Sequence, residues 1–346
     1  MKALVVVEPE VIEIRDVPMP RPGPYQALVR IEACSFCSST DLKIIANELP
    51  YVDTYPCILG HESVGEVVEV GARVKYLSAG ERVLRPVAAY PGERIGDYAS
   101  GWGGFAEYGV VTDWRAMVED GQLSADAVNP WFKMHQKVPP GMSAADATML
   151  ITLKETLSSL QDTGDVAGRS VLVVGDGAVG LCFARWAKVL GGVPVVVAGH
   201  HDNRLERARQ IGIDMAVNTS GRTIPEALAA HGAPARFDVI IDAVGSARVV
   251  EECYGLLSAG GCLSVYGVSS HMEARIDVLR LPVGARILRA PTDEPRVHAQ
   301  VLSSCNLGVV QPQWFYTHVL PLDDAAEGVR LLKSREALKV VLVPEH

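Results

Sequence analysis

The sequence predicts an α/β chain, with a β-rich first domain followed by a doubly wound parallel sheet. Three observations lead there. Up to about Val111, short apolar runs are separated by proline and glycine, the pattern of a barrel or sandwich. From about residue 141, apolar strands alternate with helical stretches, the pattern of a parallel sheet. Gly175-Asp176-Gly177-Ala178-Val179-Gly180 joins one such strand to one such helix. A length of 346 residues suits about two domains.

In the first part, the runs Ala3 to Val7, Gln26 to Glu32, Val64 to Val70 and Arg82 to Val87 read as strands, bounded by Pro18 to Pro24, Gly71 and Gly80. A polar stretch from Asp113 to Lys137, punctuated by Trp114, Trp131, Phe132, Met134 and His135, fits neither pattern and reads as an insertion, a lid or a contact between copies. Further on, strands are expected at Val171 to Val174, Val193 to Val197, Val239 to Asp242 and Cys262 to Tyr266. Helices are expected at Ala178 to Leu190, Arg204 to Ile211 and Arg248 to Leu257. The tail from Ile287 carries another strand-like segment, a helix-like Asp323 to Lys333 and a last strand, Lys339 to Val343, that could rejoin the first domain. The expected division is 1–150 with 288–346 for the first domain, and 151–287 for the second.

Composition narrows the function classes. With 48% hydrophobic and 21% charged residues, the chain is too apolar for disorder, and a net charge of -9 argues against a nucleic-acid partner. Seven scattered cysteines do not form a disulfide framework and suit a reducing compartment. No apolar stretch reaches membrane-span length, and the start is broken by Glu8 and Pro9, so the expectation is a soluble cytoplasmic protein without a membrane partner.

The glycine turn has the spacing of a dinucleotide site. Gly175 permits the tight turn, Gly177 lets the backbone approach a pyrophosphate, and Gly180 lets helix pack on strand, while Ala178 and Val179 open the helix whose N–H groups face the anion. Val244, just past the strand Val239 to Asp242, is a further expected contact. An acid at the end of the second strand would accept the adenosine ribose hydroxyls. Gly199 stands there instead, which leaves room for a 2′-phosphate with His200 and Arg204 as partners and favours NADP. In the alternative, Asp202 reaches the ribose of NAD and Arg204 only begins the next helix.

Two segments of the first part carry metal-ligand chemistry: Cys34-Ser35-Phe36-Cys37-Ser38-Ser39-Thr40-Asp41-Leu42-Lys43, and Gly60-His61-Glu62-Ser63-Val64-Gly65-Glu66-Val67-Val68-Glu69-Val70-Gly71. Together with Gly103-Gly104-Phe105-Ala106-Glu107-Tyr108 and the glycine turn, they resemble the zinc-dependent medium-chain alcohol and polyol dehydrogenase superfamily along nearly the whole chain. The resemblance implies a GroES-like catalytic domain followed by a Rossmann domain. It also implies a hydride transfer between an alcohol, polyol or sugar-like substrate and NADP or NAD, in a homodimer or homotetramer. A thiolate, an imidazole and a carboxylate suit Zn²⁺, so Cys37, His61 and Glu62 are the expected ligands of an ion that lowers the pKa of an alcohol and polarises a carbonyl.

The chain departs from the family pattern in three places. One extra residue separates Cys37 from Asp41, so the proton-relay hydroxyl is Thr40 or Ser39, with Thr40 preferred. Lys43 stands where many relatives place a relay histidine. Where polyol dehydrogenases often carry a further glutamate, an ungapped alignment gives Ile151 and a shortened helix gives Glu155, so Glu155 is an alternative fourth ligand. No cysteine occurs between Gly80 and Lys137, so one catalytic zinc is expected and no structural zinc, with the Tyr90, Tyr98 and Trp102 region holding the lobe. Two alternatives remain open: a zinc-independent quinone or enone reductase of the same fold, and a non-catalytic nucleotide-binding sensor.

Overall fold

A computed structural model describes residues 1–49, 54–268 and 272–345. The chain folds into two compact units, Met1–Ile151 with Tyr316–His346, and Thr152–Phe315. The return to the first unit comes later than residue 288, because Leu288 ends a strand of the second unit's sheet and the helix Glu294–Asn306 follows it there. Among the described residues no helix is long and apolar enough to cross a membrane.

The first unit is built around the ten-residue strand Gln26–Ser35, which is mostly buried and packs apolar side chains on both faces. Antiparallel to it run Glu62–Val70, Tyr108–Thr112 and, from the tail, Val340–Val343. Ala27, Val29, Val67, Val83 and Val111 pack on one face, and Ala3, Val5, Ile31, Ile58 and Ala106 form a second cluster. At the end of the central strand Ser35 is paired with Glu62 on one side and Val341 on the other. A segment near residue 62 and one near residue 340 are thereby brought to the same strand end.

The second unit holds six parallel strands in the order Met215–Asn218, Val195–Gly199, Val171–Val174, Phe237–Asp242, Leu257–Val265, Arg286–Leu288. Its chain-order pattern 3-2-1-4-5-6 is that of the doubly wound dinucleotide-binding sheet. Leu172, Val196, Ile240 and Leu263 stack between strands and meet Leu228 and Val250 from the covering helices. Several bounds differ from expectation. The second strand starts at Val195 rather than Val193, after Pro194, which has no N–H for the ladder. The helix expected from Arg248 to Leu257 spans Ala247–Cys253, because Leu257 already belongs to the next strand.

Two helices carry cap signals that the periodicity pass did not use. Ile224–Ala230 begins with a capping box between Thr223 and Glu226. Glu294–Asn306 begins at Asp293, whose carboxylate accepts the Arg296 N–H. Glu294 is also the partner of Lys154, 2.9 Å away, and both side chains are buried. Lys154→Met is expected to cost about 3–5 kcal/mol, because it leaves a buried carboxylate without its lysine, whereas Lys154→Met with Glu294→Met should recover most of the loss. Urea unfolding measures both; a single variant as stable as the parent would contradict the pairing.

Candidate active site

The first candidate centre lies in the first unit, where the central strand runs through buried Phe36 into Cys37. The chain then turns: the N–H groups of Thr40 and Asp41 both donate to the Cys37 carbonyl, at 3.0 and 2.8 Å. Asp41 Oδ2 accepts the Cys37 N–H at 2.8 Å, so the turn is tied from both sides before the short helix Asp41–Ile45 begins. The other oxygen of this fully buried carboxylate lies 3.5 Å from His61 Nδ1. Asp41 therefore links the two segments that carry the expected ligands, a role that the sequence reading did not assign to it.

His61 and Glu62 follow Gly60, which has φ +105° and admits only glycine, because a Cβ there would clash with the Phe105 backbone nitrogen at 2.5 Å. Glu62 is buried and paired with Lys339 Nζ at 2.5 Å, and it also accepts from the Ser35 hydroxyl. Burial opposes the charged Glu62 carboxylate, but Lys339, His61 and Ser35 outweigh it and hold its pKa below the usual range. Burial likewise opposes a charged His61, yet the Asp41 carboxylate and Cys37 raise its pKa well above the ordinary value.

The ligand atoms of Cys37, His61 and Glu62 all lie within 4.8 Å of one another. His61 Nδ1 and Asp41 Oδ1 are buried and face each other at 3.5 Å, with no other hydrogen-bond partner at either atom. A thiol, an imidazole and a carboxylate brought this close form a donor set that a divalent soft-to-borderline cation such as Zn²⁺ fits. Of the expected relay groups, Thr40 is the hydroxyl in contact with Cys37 Sγ, at 3.5 Å. Ser39 lies in the same turn and Lys43 in the last turn of the helix, both half-buried.

Behind His61 stands an aromatic layer that comes partly from the Asp113 to Lys137 stretch. The Trp102 ring lies 4.9 Å from the His61 ring and 6.2 Å from that of Trp131. Arg85 donates from Nη1 to the His61 carbonyl and rests its guanidinium 5.2 Å over Trp131. Trp131 lies in the one-turn helix Pro130–Lys133, whose cap, Asn129, accepts its N–H at 3.0 Å. Tyr90 ties the same stretch down through Thr112 at 2.8 Å and His135 at 2.9 Å, with Phe132 against its ring. Tyr98 packs on the core cluster that includes Ala3, Val5 and Ala88. Arg85 and Trp102 both adopt left-handed backbone, at φ +60° and +72°, a strain of about 1–3 kcal/mol each that the packing around His61 sustains.

The second candidate centre is the glycine turn of the second unit. Gly175 has φ +120° and a Cβ on it would meet Val244 Cγ2 at 3.2 Å, which places half-exposed Val244 against the turn. A Cβ on Gly180 would lie 1.9 Å from the Gly175 carbonyl, so helix and turn are in backbone contact. At Gly177 nothing lies within 4 Å of the Cβ position, leaving an open flank at the start of the helix Ala178–Val189, as a pyrophosphate cradle requires. The expected room beside Gly199 needs correcting. A Cβ there would lie 2.4 Å from Asp176 Oδ2, so an acid from the glycine turn fills the place that an acid on the strand would take. His200 Nδ1 lies 3.1 Å from the Thr219 hydroxyl, and Arg204 Nη1 3.9 Å from Asp176 Oδ1.

Glu155, the alternative fourth ligand, lies in the second unit, where its Oε2 accepts from Tyr266 at 3.3 Å. Ile151, the ungapped counterpart, is a fully buried apolar residue without a ligand atom.

Known proteins match this chain in both parts. A family model for the alcohol dehydrogenase GroES-like domain covers residues 23–119, and one for zinc-binding dehydrogenases covers residues 178–289. An L-threonine 3-dehydrogenase of Pyrococcus abyssi is 30% identical over 275 residues, covering 74% of this chain and 72% of that protein. An alcohol dehydrogenase of Cupriavidus necator is 27% identical over 99% of both, and a sorbitol dehydrogenase of Halalkalibacterium halodurans is 26% identical over 99% of both. Among solved structures, an alcohol dehydrogenase from Thermus sp. ATN1 superposes with TM-score 0.80 at 26% identity over 100% of each chain. A Sinorhizobium meliloti 1021 structure bound to NADP gives TM-score 0.80 at 25% identity over 99% of each.

Trp131→Ala removes the surface on which Arg85 rests and is expected to destabilise the chain by about 2 kcal/mol, read as a lower thermal midpoint. An unchanged midpoint would show that the aromatic layer does not support the ligand segment.

Proposed function

Because the chain belongs to the zinc-binding medium-chain dehydrogenase superfamily and is an oxidoreductase, we propose that it transfers a hydride between an alcohol, polyol or sugar-like substrate and a nicotinamide dinucleotide at a single zinc centre. The observation that carries this reading is the convergence of Cys37, His61 and Glu62 within 4.8 Å. Zinc bound there would supply Lewis acidity towards an alcohol or carbonyl oxygen, and the nicotinamide would supply the hydride acceptor or donor.

This chain's own residues have distinct tasks in that scheme. Cys37, His61 and Glu62 would hold the ion. Asp41 fixes the Cys37 turn by its N–H bond and faces His61 with its second oxygen, so the two ligand segments keep one spacing. Thr40, in contact with Cys37 Sγ, would relay the substrate hydroxyl proton, passing its own on to water as it accepts it, with Ser39 the neighbouring hydroxyl and Lys43 orienting the relay. Glu155 completes the metal shell or leaves that place to water.

Gly175, Gly177, Ala178, Val179 and Gly180 hold the pyrophosphate on open backbone, and Val244 flanks the turn. NADP is preferred to NAD, with His200 and Arg204 near the 2′-phosphate and Gly199 giving its side-chain space to Asp176; the NADP-bound structural relative supports this preference. The lack of cysteine between Gly80 and Lys137 supports one ion per chain, with the Tyr90, Trp102 and Trp131 contacts holding that region.

A second copy of the chain is the expected partner. The strand Arg286–Leu288 is the last in its sheet, and beside it in sequence Val278, Leu279 and Val283 are 74%, 96% and 89% exposed. Seven free cysteines suit a reducing cytoplasm.

Metal analysis and a dehydrogenase assay, run with and without chelator on a panel of polyols and secondary alcohols, test the reading. Stoichiometric zinc and chelator-sensitive turnover are expected. Turnover without metal would favour a zinc-independent reductase, and cofactor binding without turnover a sensor. Asp41→Asn should weaken zinc binding about 10- to 100-fold in chelator competition, and unchanged affinity would remove Asp41 from the site. Glu155→Ala separates the two shells: full metal content with an unchanged rate would leave the fourth place to water.

A further inference from the structure

The acid that fills the space beside Gly199 bears on how the cofactor's adenosine end is recognised. Asp176 Oδ2 accepts the N–H groups of His200 and His201, both at 2.8 Å, and His201 Nδ1 lies 3.0 Å from each carboxylate oxygen. Arg204 Nη1 approaches Oδ1 at 3.9 Å, and its side chain is largely buried. Gly199 is the condition for all of this, since its Cβ would lie 2.4 Å from Oδ2 and 2.6 Å from the Asp176 Cγ. A side-chain acid at the strand end and the Asp176 carboxylate in its present place exclude each other.

We infer that Asp176 is a positioning residue for NADP: it holds His201 and Arg204 at the end of the second strand, where they meet the 2′-phosphate. A carboxylate here could equally be read as a ribose acid that repels a phosphate, and the geometry opposes that reading. A carboxylate has about four acceptor positions. Oδ2 takes both backbone N–H groups, the His201 ring is shared between the two oxygens, and Arg204 lies 3.9 Å from Oδ1. Little acceptor capacity is left for two ribose hydroxyls.

The charge count points the same way. Asp176 contributes -1 and Arg204 contributes +1, so the pair is neutral before His201 is considered. The remaining acid of this corner, Asp202, is bonded to Asn218 Nδ2 at 2.6 Å. His201 is held through Nδ1, so contact with the phosphate falls to Nε2, which donates in the imidazolium form. Asp176 thus acts through His201 and Arg204 and touches no part of the cofactor itself.

The inference rests on the glycine turn being a nicotinamide dinucleotide site, and the test separates the two. Calorimetric titration with 2′,5′-ADP and with 5′-AMP, on the parent, Asp176→Asn and His201→Ala, reads the adenosine end without turnover or metal. The parent should bind 2′,5′-ADP at least about 10-fold more tightly than 5′-AMP, the size of one charge-assisted hydrogen bond. Both variants should lose about that factor for 2′,5′-ADP while binding 5′-AMP as before. Tighter binding of 2′,5′-ADP by Asp176→Asn would show that the carboxylate repels the phosphate and overturn the inference. Equal losses for both ligands would overturn it too, since Asp176 would then support the turn alone. Should Asp176→Asn fail to fold, His201→Ala carries the test, because it leaves the carboxylate and its backbone bonds in place. A parent that binds neither ligand contradicts the dinucleotide reading itself, and a parent indifferent to the 2′-phosphate contradicts the NADP preference; both are seen before any variant is made.

Discussion

A carboxylate buried as deeply as that of Glu62 needs a cation beside it, and the cation is Lys339, brought from the end of the chain. Much of the first unit follows from that need. The tail strand Val340–Val343 pairs with the end of Gln26–Ser35 on the side opposite Glu62–Val70, so Lys339, Ser35 and Glu62 meet at one strand end. The discontinuity of the first unit is in this sense an electrostatic requirement as well as a topological one. A second buried carboxylate, Asp41, lies between the Cys37 turn and the His61 ring. Lys339 answers Glu62, and Asp41 answers His61.

The same device recurs in the second unit in another form. There an acid on the glycine turn, Asp176, crosses to the end of the next strand and captures two consecutive backbone N–H groups. In both units a buried carboxylate joins segments that are distant in sequence, and in both it lies beside a cation or a histidine. The sites are consequently stiff at the points where distance matters to the chemistry. Asp41 sets the spacing of the ligand segments and Asp176 that of the strand end.

What was legible in the sequence was what local rules encode. Gly175, Gly177 and Gly180 announce a turn because each position needs something only glycine supplies: left-handed backbone, an open flank, or contact between backbones. Cys37, His61 and Glu62 announce a metal because their residue types and motifs do, without reference to the fold. The strands of the second unit were legible from their apolar runs, apart from bounds that Pro194 and Leu257 set. Lys339, Arg85 and Trp102 were not legible as site residues. Each acts through a contact made only in the folded chain, and a lysine before an apolar strand carries no mark of burial. Gly199 was misread for the same reason: the strand end looks empty in sequence, and only the fold shows Asp176 filling it. The helix Glu294–Asn306 was passed over because Arg296, His298, Gln300 and Ser303 dilute its apolar period, although Asp293 and Pro295 mark its start.

The central claim is that one thiolate, Cys37, shares a zinc ion with nitrogen and oxygen ligands in the first unit. The zinc K-edge absorption spectrum of the purified protein tests it most directly. One sulfur scatterer at about 2.3 Å with the remaining ligands at about 2.0–2.1 Å is expected, the sulfur shell disappearing in Cys37→Ser. A spectrum with no sulfur, or with the four sulfurs of a closed structural site, would contradict it.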